Sequence, residues 1–495
     1  MSERDGPVQP VAAAVARYAG LAGAVLLSVA AWLGGALPGA PANSELLDIW
    51  RAPHGPAVLG CWLAGTALLV WAWWSLRWGA PSARWAYLTA GLWLLPLLVA
   101  PPMGSRDVYS YACQGWSWTH GVDPYRVGVA AAGCPWTDTV SPIWRDTPAP
   151  YGPFFVLLAG LAVLLGGGLT GTLVLLRVIA VAGVLLAALC VPGLARAAGV
   201  PTRRAAWLAL ACPLVGVHLV AGAHNDAVGL GLLLFGLLVL VRRPGRPRAL
   251  LLAGVLLGLA VTVKAIVVVV LPFAALAAVL GRYTVRALLR DGGWLAGGVV
   301  AVLVVTSLVT GLGLGWVGGV ARSGESQQWT SPPTAVGFVI DYTGELFGRE
   351  PHAVPVVRLV ALAVLAVLLA ALWWRSWTAL RRLNDVRQRV RRLAVARPRI
   401  ILAGVGLALA ATVLLAPVFH PWYATWPLAM LAVATVSVTR TVWFVAPSAV
   451  ASCLTLPDGA NLARFTKAPG AILMTALVVL VVVRAVRAAR ARRPR

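Results

Sequence analysis

Arg106-Asp107-Val108-Tyr109-Ser110-Tyr111 decides how this chain is read. The stretch follows an apolar run at 86–101 and opens a long polar loop. It therefore sets an acid at the lip of a segment that reads as membrane. An ionisable side chain at that depth is costly unless it pairs or faces water, and such residues mark function. Chemistry on a substrate that is itself half lipid suits the location.

The rest of the chain agrees with that setting. Of its 495 residues 60% are hydrophobic, and mean hydropathy is +0.83. A soluble domain holds roughly 45–50% apolar residues, so the chain reads as an all-α polytopic membrane protein. Runs of about 20 apolar residues, each able to cross a bilayer, recur at 18–37, 57–76, 86–101, 172–195, 204–222, 226–241, 248–263, 266–281, 293–313, 355–375, 399–418, 421–438, 440–456 and 469–487. The first run is long enough to be a span rather than a cleaved leader. The net charge of +25 suggests nucleic acid, but the arginines sit in short loops, where they set orientation and attract anionic lipid. The clusters taken as cytoplasmic are Arg77 and Arg84; Arg196, Arg203 and Arg204; 242–248; 282–290; 375–399; and the tail from Arg484. About fourteen spans then leave both termini in the cytoplasm. Residues 1–17 form a cytoplasmic N-terminus, 18–487 a single transmembrane domain, and 488–495 a basic tail. The segment 154–165 is apolar but short and is broken by Gly166-Gly167-Gly168. It reads as an interfacial or re-entrant piece of the first external loop, about 101–171. A second external loop covers about 315–354. The loop 376–398 is basic and cytoplasmic (Arg381, Arg382, Arg387, Arg389, Arg391, Arg392).

On this topology ionisable groups gather at one level on the outer side: Asp107, Arg177, His224-Asn225-Asp226, Lys264 and His420. A shared polar cavity is the economical reading. Lys264 stands out because only Lys264 and Lys467 are lysines among 41 basic residues. A lysine inside Ala260-Val261-Thr262-Val263-Lys264-Ala265-Ile266 supplies a compact ammonium suited to a phosphate oxygen; the bland alternative is snorkelling to the interface. Each of the others also has a structural reading: Arg177 as an interface anchor, Asn225 and Asp226 as helix caps, His420 bonding a carbonyl at a Pro-broken turn, Asp107 pairing with Arg106. His218 reads as a core histidine, and Asp123, Asp138 and Asp146 as turn residues. The chain has 23 tryptophans, which populate interfacial belts; Trp116, Trp118, Trp136, Trp144, Trp329 and Trp422 lie in loops, where they are also able to stack on sugars. Cys61, Cys190, Cys212 and Cys453 fall in apolar runs. Cys113 and Cys134 share the first external loop, and on an oxidising side they either form a disulfide or stay free. No Cys/His spacing suggests a metal.

This set suits sugar transfer from a lipid phosphate. A carboxylate takes the proton of the attacking hydroxyl, and fixed cations stabilise the phosphate that leaves. The chain resembles the integral-membrane glycosyltransferases of the GT-C superfamily. More narrowly it is similar to the actinobacterial polyprenyl-phosphomannose-dependent α-1,6-mannosyltransferases of the MptA/MptB type. The carrying residues are the Arg106–Tyr111 stretch quoted above, Gly121-Val122-Asp123-Pro124-Tyr125 and Trp144-Arg145-Asp146-Thr147-Pro148-Ala149-Pro150-Tyr151-Gly152-Pro153. His224-Asn225-Asp226 and His420-Pro421-Trp422-Tyr423 extend the resemblance over roughly 86 to 440.

The resemblance implies a GT-C-type fold with Asp107 as the base activating an acceptor 6-hydroxyl. Lys264, His420 and Arg177 would hold the phosphate of a polyprenyl-phosphate mannose donor. Arg106, Tyr109, Tyr111 and Tyr151 would line the substrate pocket, together with His224, Asn225, Asp226, Trp422 and Tyr423. Transfer would invert the anomeric centre onto a mannan or lipoglycan acceptor outside the membrane, with no cofactor or metal. The chain departs from several superfamily members by two extra spans before the Asp loop and by lacking a sizeable soluble C-terminal domain. A lipid-linked-sugar transporter or flippase is the competing class, and a transferase of arabinose or glucose the competing specificity. Oligomeric state is not encoded legibly.

Overall fold

A computed structural model describes residues 10–40, 46–385 and 390–491. Residues 1–9 and 492–495, and Arg387 and Arg389 of the basic loop, lie outside these. Every named element among the described residues is helical, and the β pairing is a single bridge between Thr455 and Asn461.

Seven helices are long and apolar enough to cross a membrane: Val11–Gly34, Gly55–Ser75, Leu169–Ala198, Val285–Thr310, Ala353–Leu383, Ala394–Leu415 and Lys467–Ala488. An eighth arises if Thr202–Leu210 and Val215–Ala221 form one span bent by 61°. Pro213 sits at that break, where its missing N–H and its ring interrupt a helix. The runs expected at 86–101, 248–263 and 266–281 are shorter apolar helices, Ala83–Val99, Pro247–Val263 and Ala265–Ala278. Those expected at 421–438 and 440–456 are shorter still, Thr425–Ala434 and Val442–Ala451. Thr425–Ala434 is buried along its whole length; its surroundings are protein, so its length need not match a bilayer. The segment expected as the loop 376–398 is largely helix, because Ala353–Asp385 and Val390–Leu415 run into it from both sides.

The helices pack through small residues, as apolar helices do where there is no water to squeeze out. A Cβ on Gly254 would sit 2.1 Å from the Leu295 carbonyl oxygen, and one on Gly298 would sit 2.4 Å from the Leu251 oxygen, so Pro247–Val263 and Val285–Thr310 touch backbone to backbone. Gly231 likewise lies against Gly183 of Leu169–Ala198.

Two ends of the bundle differ in chemistry. At one, arginines bind the carbonyls that helix termini leave unpaired. Arg204 donates to Thr435 O (2.7 Å) and Val436 O (2.8 Å), Arg399 to Ala198 O (2.8 Å), and Arg397 to Ala277 O (2.8 Å) and the Tyr283 hydroxyl (2.7 Å). These arginines thus do structural work. At the other end the turns at 222–225, 264 and 416–420 are recessed. Asp226–Arg242 and Pro247–Val263 have 17 residues each, about 26 Å of helix, short of a hydrocarbon core of about 30 Å. The loops 101–152, 315–331 and 455–465 roof the recess.

Candidate active site

Asp107 is the first residue of the helix Asp107–Thr119. Its N–H donates to Ser105 Oγ (3.0 Å), and a helix N-terminus favours a negative side chain. Lys264 stands where Pro247–Val263 ends and a 3₁₀ turn, Ala265–Val270, begins; its extended backbone breaks the helix. His420 is extended too, as the residue before Pro421 should be. Interrupted backbone is tolerated at membrane depth where it lines a cavity.

These three side chains border one small chamber of about 50 Å³, with Ser110, Gln114, Trp144, Tyr151 and Tyr423 among its walls. Asp107, Trp144 and His420 also border a wider groove of about 620 Å³ that opens beside it. Asp107 thus lies between two compartments, and its side chain is 14% exposed. Burial pushes its carboxyl up to about 6, with Lys264 pulling the other way. It is ionised at neutral pH and still basic enough to take a proton. Burial drives His420 down to about 3, with Lys264 adding to the effect, so its imidazole is neutral. It stacks parallel on Trp422 at 4.7 Å. Lys264 Nζ lies 4.8 Å from the centre of the Tyr423 ring. Ser110 Oγ and Gln114 Oε1 border the chamber yet have no hydrogen-bond partner among the described residues. Buried polar atoms of this kind call for a ligand or water.

Behind the chamber wall stands a polar network. Asp226, fully buried, pairs with Lys264 and accepts a 2.6 Å bond from Trp426 Nε1. His224 Nδ1 lies 3.7 Å from Asp107 Oδ2 and 3.4 Å from the Tyr111 hydroxyl, which also reaches Asn225 Oδ1 at 3.4 Å. His224, Asn225, Asp226 and Tyr111 are at most 1% exposed. They fix Asp107 and Lys264 from behind rather than lining the pocket, as the sequence had suggested.

Two further expectations are corrected. Arg177 does not face the chamber; it donates to Leu98 O (3.0 Å), Ala100 O (2.6 Å) and Ala221 O (2.7 Å). Its fork matches three carbonyls stranded at helix ends. Tyr109 is buried with its hydroxyl on Ala36 O. Arg106 borders the groove but spends its guanidinium on Leu37, Ala40 and Thr139 carbonyls. Tyr151 and Tyr423 line the chamber and Trp422 the groove. Cys113 and Cys134 are joined in a disulfide that ties the Asp107 helix to its loop.

The residues not foreseen are Ser110, Gln114, Trp144 as a wall of both compartments, Trp426 behind Asp226, and Arg464 and Lys467 on the groove. Ser110 and Gln114 had a signal, since they follow Asp107 by three and seven residues on one helix face. Nor does the sequence announce a strap formed by 455–461. Pro457 O accepts from Gly104 N (3.2 Å), and a Cβ on Gly459, whose φ is +92°, would lie 3.0 Å from the Ser105 carbonyl carbon. The strap braces the backbone that carries Asp107. Among the described residues no His, Cys, Asp and Glu group is arranged to hold a metal.

Fold and site define a helical membrane protein with a carboxylate–ammonium chamber open to an aromatic-walled groove. Residues 17–280 match the family described as α-(1→6)-mannopyranosyltransferase, N-terminal domain, and 333–484 match the MptB C-terminal domain. The chain belongs to this MptA/MptB family. It is 34% identical over 394 residues to an α-(1→6)-mannopyranosyltransferase of Mycobacterium tuberculosis, covering 69% of this chain and 64% of that one. It is 35% identical over 354 residues to α-(1→6)-mannopyranosyltransferase A of the same organism (70% and 64%), and 28% identical over 365 residues to α-(1→6)-mannopyranosyltransferase B of Corynebacterium glutamicum (70% and 58%). The matches thus span less than two thirds of these relatives' length. No solved structure matches the chain.

Proposed function

We propose that this protein transfers mannose from polyprenyl-phosphate mannose to the 6-hydroxyl of a mannan or lipoglycan acceptor, forming an α-1,6 linkage. The position of Asp107 between the two compartments carries the reading. The chamber, with Lys264, neutral His420 and the unpartnered Ser110 and Gln114, takes the donor's phosphate, with its sugar toward Asp107; the groove takes the acceptor. The acceptor oxygen attacks the anomeric carbon while Asp107 accepts its proton. The bond from that carbon to the phosphate oxygen breaks, and polyprenyl phosphate leaves with the electron pair. One displacement inverts a β-linked donor to an α product. Lys264, held by Asp226 and Tyr423, and the imidazole N–H of His420 meet the growing phosphate charge. No step needs a metal or cofactor.

The fold in this reading is GT-C-like with about fourteen crossings, counting the short and broken helices, and both ends cytoplasmic. The site faces outward. Two features support that side: the Cys113–Cys134 disulfide lies at the site end, and disulfides persist in oxidising compartments. Arginines crowd the opposite end, as on cytoplasmic faces.

The test uses purified protein, synthetic polyprenyl-phosphomannose and a short α-1,6-mannoside. Wild type should extend the acceptor, Asp107→Asn should lose nearly all turnover, and His420→Ala should be strongly impaired. Unimpaired transfer by Asp107→Asn would remove the base assignment. Release of donor across the membrane without transfer would favour a flippase.

A further inference from the structure

Both lysines of the chain face the site, one in each compartment: Lys264 in the chamber and Lys467 in the groove. Elsewhere the chain uses arginine, and several arginines at both ends are spent on backbone carbonyls. Lys467 begins the helix Lys467–Ala491. A cation there opposes the helix dipole, so helix stability does not account for it. Arg464, three residues earlier, borders the same groove. Both residues are exposed, and neither makes an ion pair among the described residues. The acids along the groove are Asp107, Glu325 and Asp458. Asp458 accepts from Ala460 N and acts on the charge of Arg106.

We propose that Arg464 and Lys467 form a second anion subsite, distinct from Lys264, that binds a phosphodiester. It rests on the reading of the groove as the acceptor side. Trp144, half-buried, walls the same groove, giving a sugar ring an aromatic surface alongside the two cations. The side chains are wet, so each contributes modestly and salt weakens both. The phosphodiester it suits is one with no ammonium of its own to balance it, unlike that of phosphatidylcholine; it belongs either to an acceptor's lipid or to an anionic bilayer lipid, and the experiment separates the two.

Transfer is measured in phosphatidylcholine discs with a neutral alkyl α-1,6-dimannoside, and with the same dimannoside on a dialkyl phosphodiester. A second arm keeps the neutral acceptor and adds phosphatidylglycerol to the disc. In wild type one arm should raise kcat/KM about three- to tenfold, through KM and in a salt-sensitive way. A gain in the first arm assigns the subsite to the acceptor's phosphate, and in the second to the bilayer's. Arg464→Gln/Lys467→Gln should abolish the gain, and the charge-keeping Lys467→Arg should retain much of it. Where transfer proceeds, absence of a gain in both arms, or its persistence in the double Gln variant, overturns the subsite. Tryptophan-fluorescence titration with the phosphodiester lipid reads the subsite without turnover. Tight, variant-sensitive binding with no transfer to any acceptor would therefore refute the mannosyltransferase reading and leave the subsite standing.

Discussion

Asp107→Asn should cripple the protein and stabilise it at once. The carboxyl is nearly closed off from water, and its pKa rises from 3.8 to about 6 for that reason. A carboxyl so shifted costs the fold about 3 kcal/mol when it ionises in place. The helix N-terminus returns about 0.3–1 kcal/mol, leaving about 2–3 kcal/mol. The sign follows from linkage: the raised pKa means the cost is absent below about pH 4, grows between about 4 and 6, and is full above about 6. Asparagine keeps the shape and never ionises. Melts followed by tryptophan fluorescence should therefore show the two proteins alike at pH 4 and the variant more stable at pH 7.5. Turnover should fall by about 10²–10⁴-fold, the usual worth of a general base. In wild type, kcat/KM should drop as pH falls through about 6, because the base is then protonated. An Asn variant that is less stable than wild type at pH 7.5, or a rate flat from pH 5 to 8, would refute this account of the residue.

Lys264→Met would strand the fully buried Asp226, costing about 3–5 kcal/mol in chemical denaturation, and Lys264→Arg should not restore turnover, since a planar fork does not replace a compact ammonium. Arg177→Gln leaves carbonyls at Leu98, Ala100 and Ala221 without their donor; thermal stability should fall by about 2–4 kcal/mol while the donor KM stays near wild type, and a large rise in KM would return Arg177 to phosphate binding. Replacing Cys113 and Cys134 by serine opens a loop of 21 residues and should cost about 3 kcal/mol, read as a lower melting point that reductant reproduces in wild type.

What could be read from the chain alone was exceptional chemistry in an apolar background. Asp107, Lys264 and His420 are visible because each interrupts or borders an apolar run, and the structure sets all three on one chamber. The arginines misled for the opposite reason. Arg177 looks in sequence like a phosphate ligand, but its use is set by which carbonyls helix ends leave bare, a matter of three segments far apart in the chain. Thr425–Ala434 reads in sequence like a lipid-facing span because burial among helices and burial in lipid select the same residues. Asp226 showed itself as polar, but its partners Lys264 and Trp426 lie 38 and 200 residues away.

The strap at 455–461 has a bearing on how the protein comes into being. Its backbone presses on Gly104–Arg106 from more than three hundred residues downstream, and His420 and Trp426 also arrive late. A nascent chain whose first ten or so helices have been inserted already carries Asp107 and Lys264, yet it lacks the strap that braces the backbone of the acid. Catalytic competence should therefore switch on only near the end of translation, so that truncated products left in the bilayer stay inert toward the lipid-linked sugar around them.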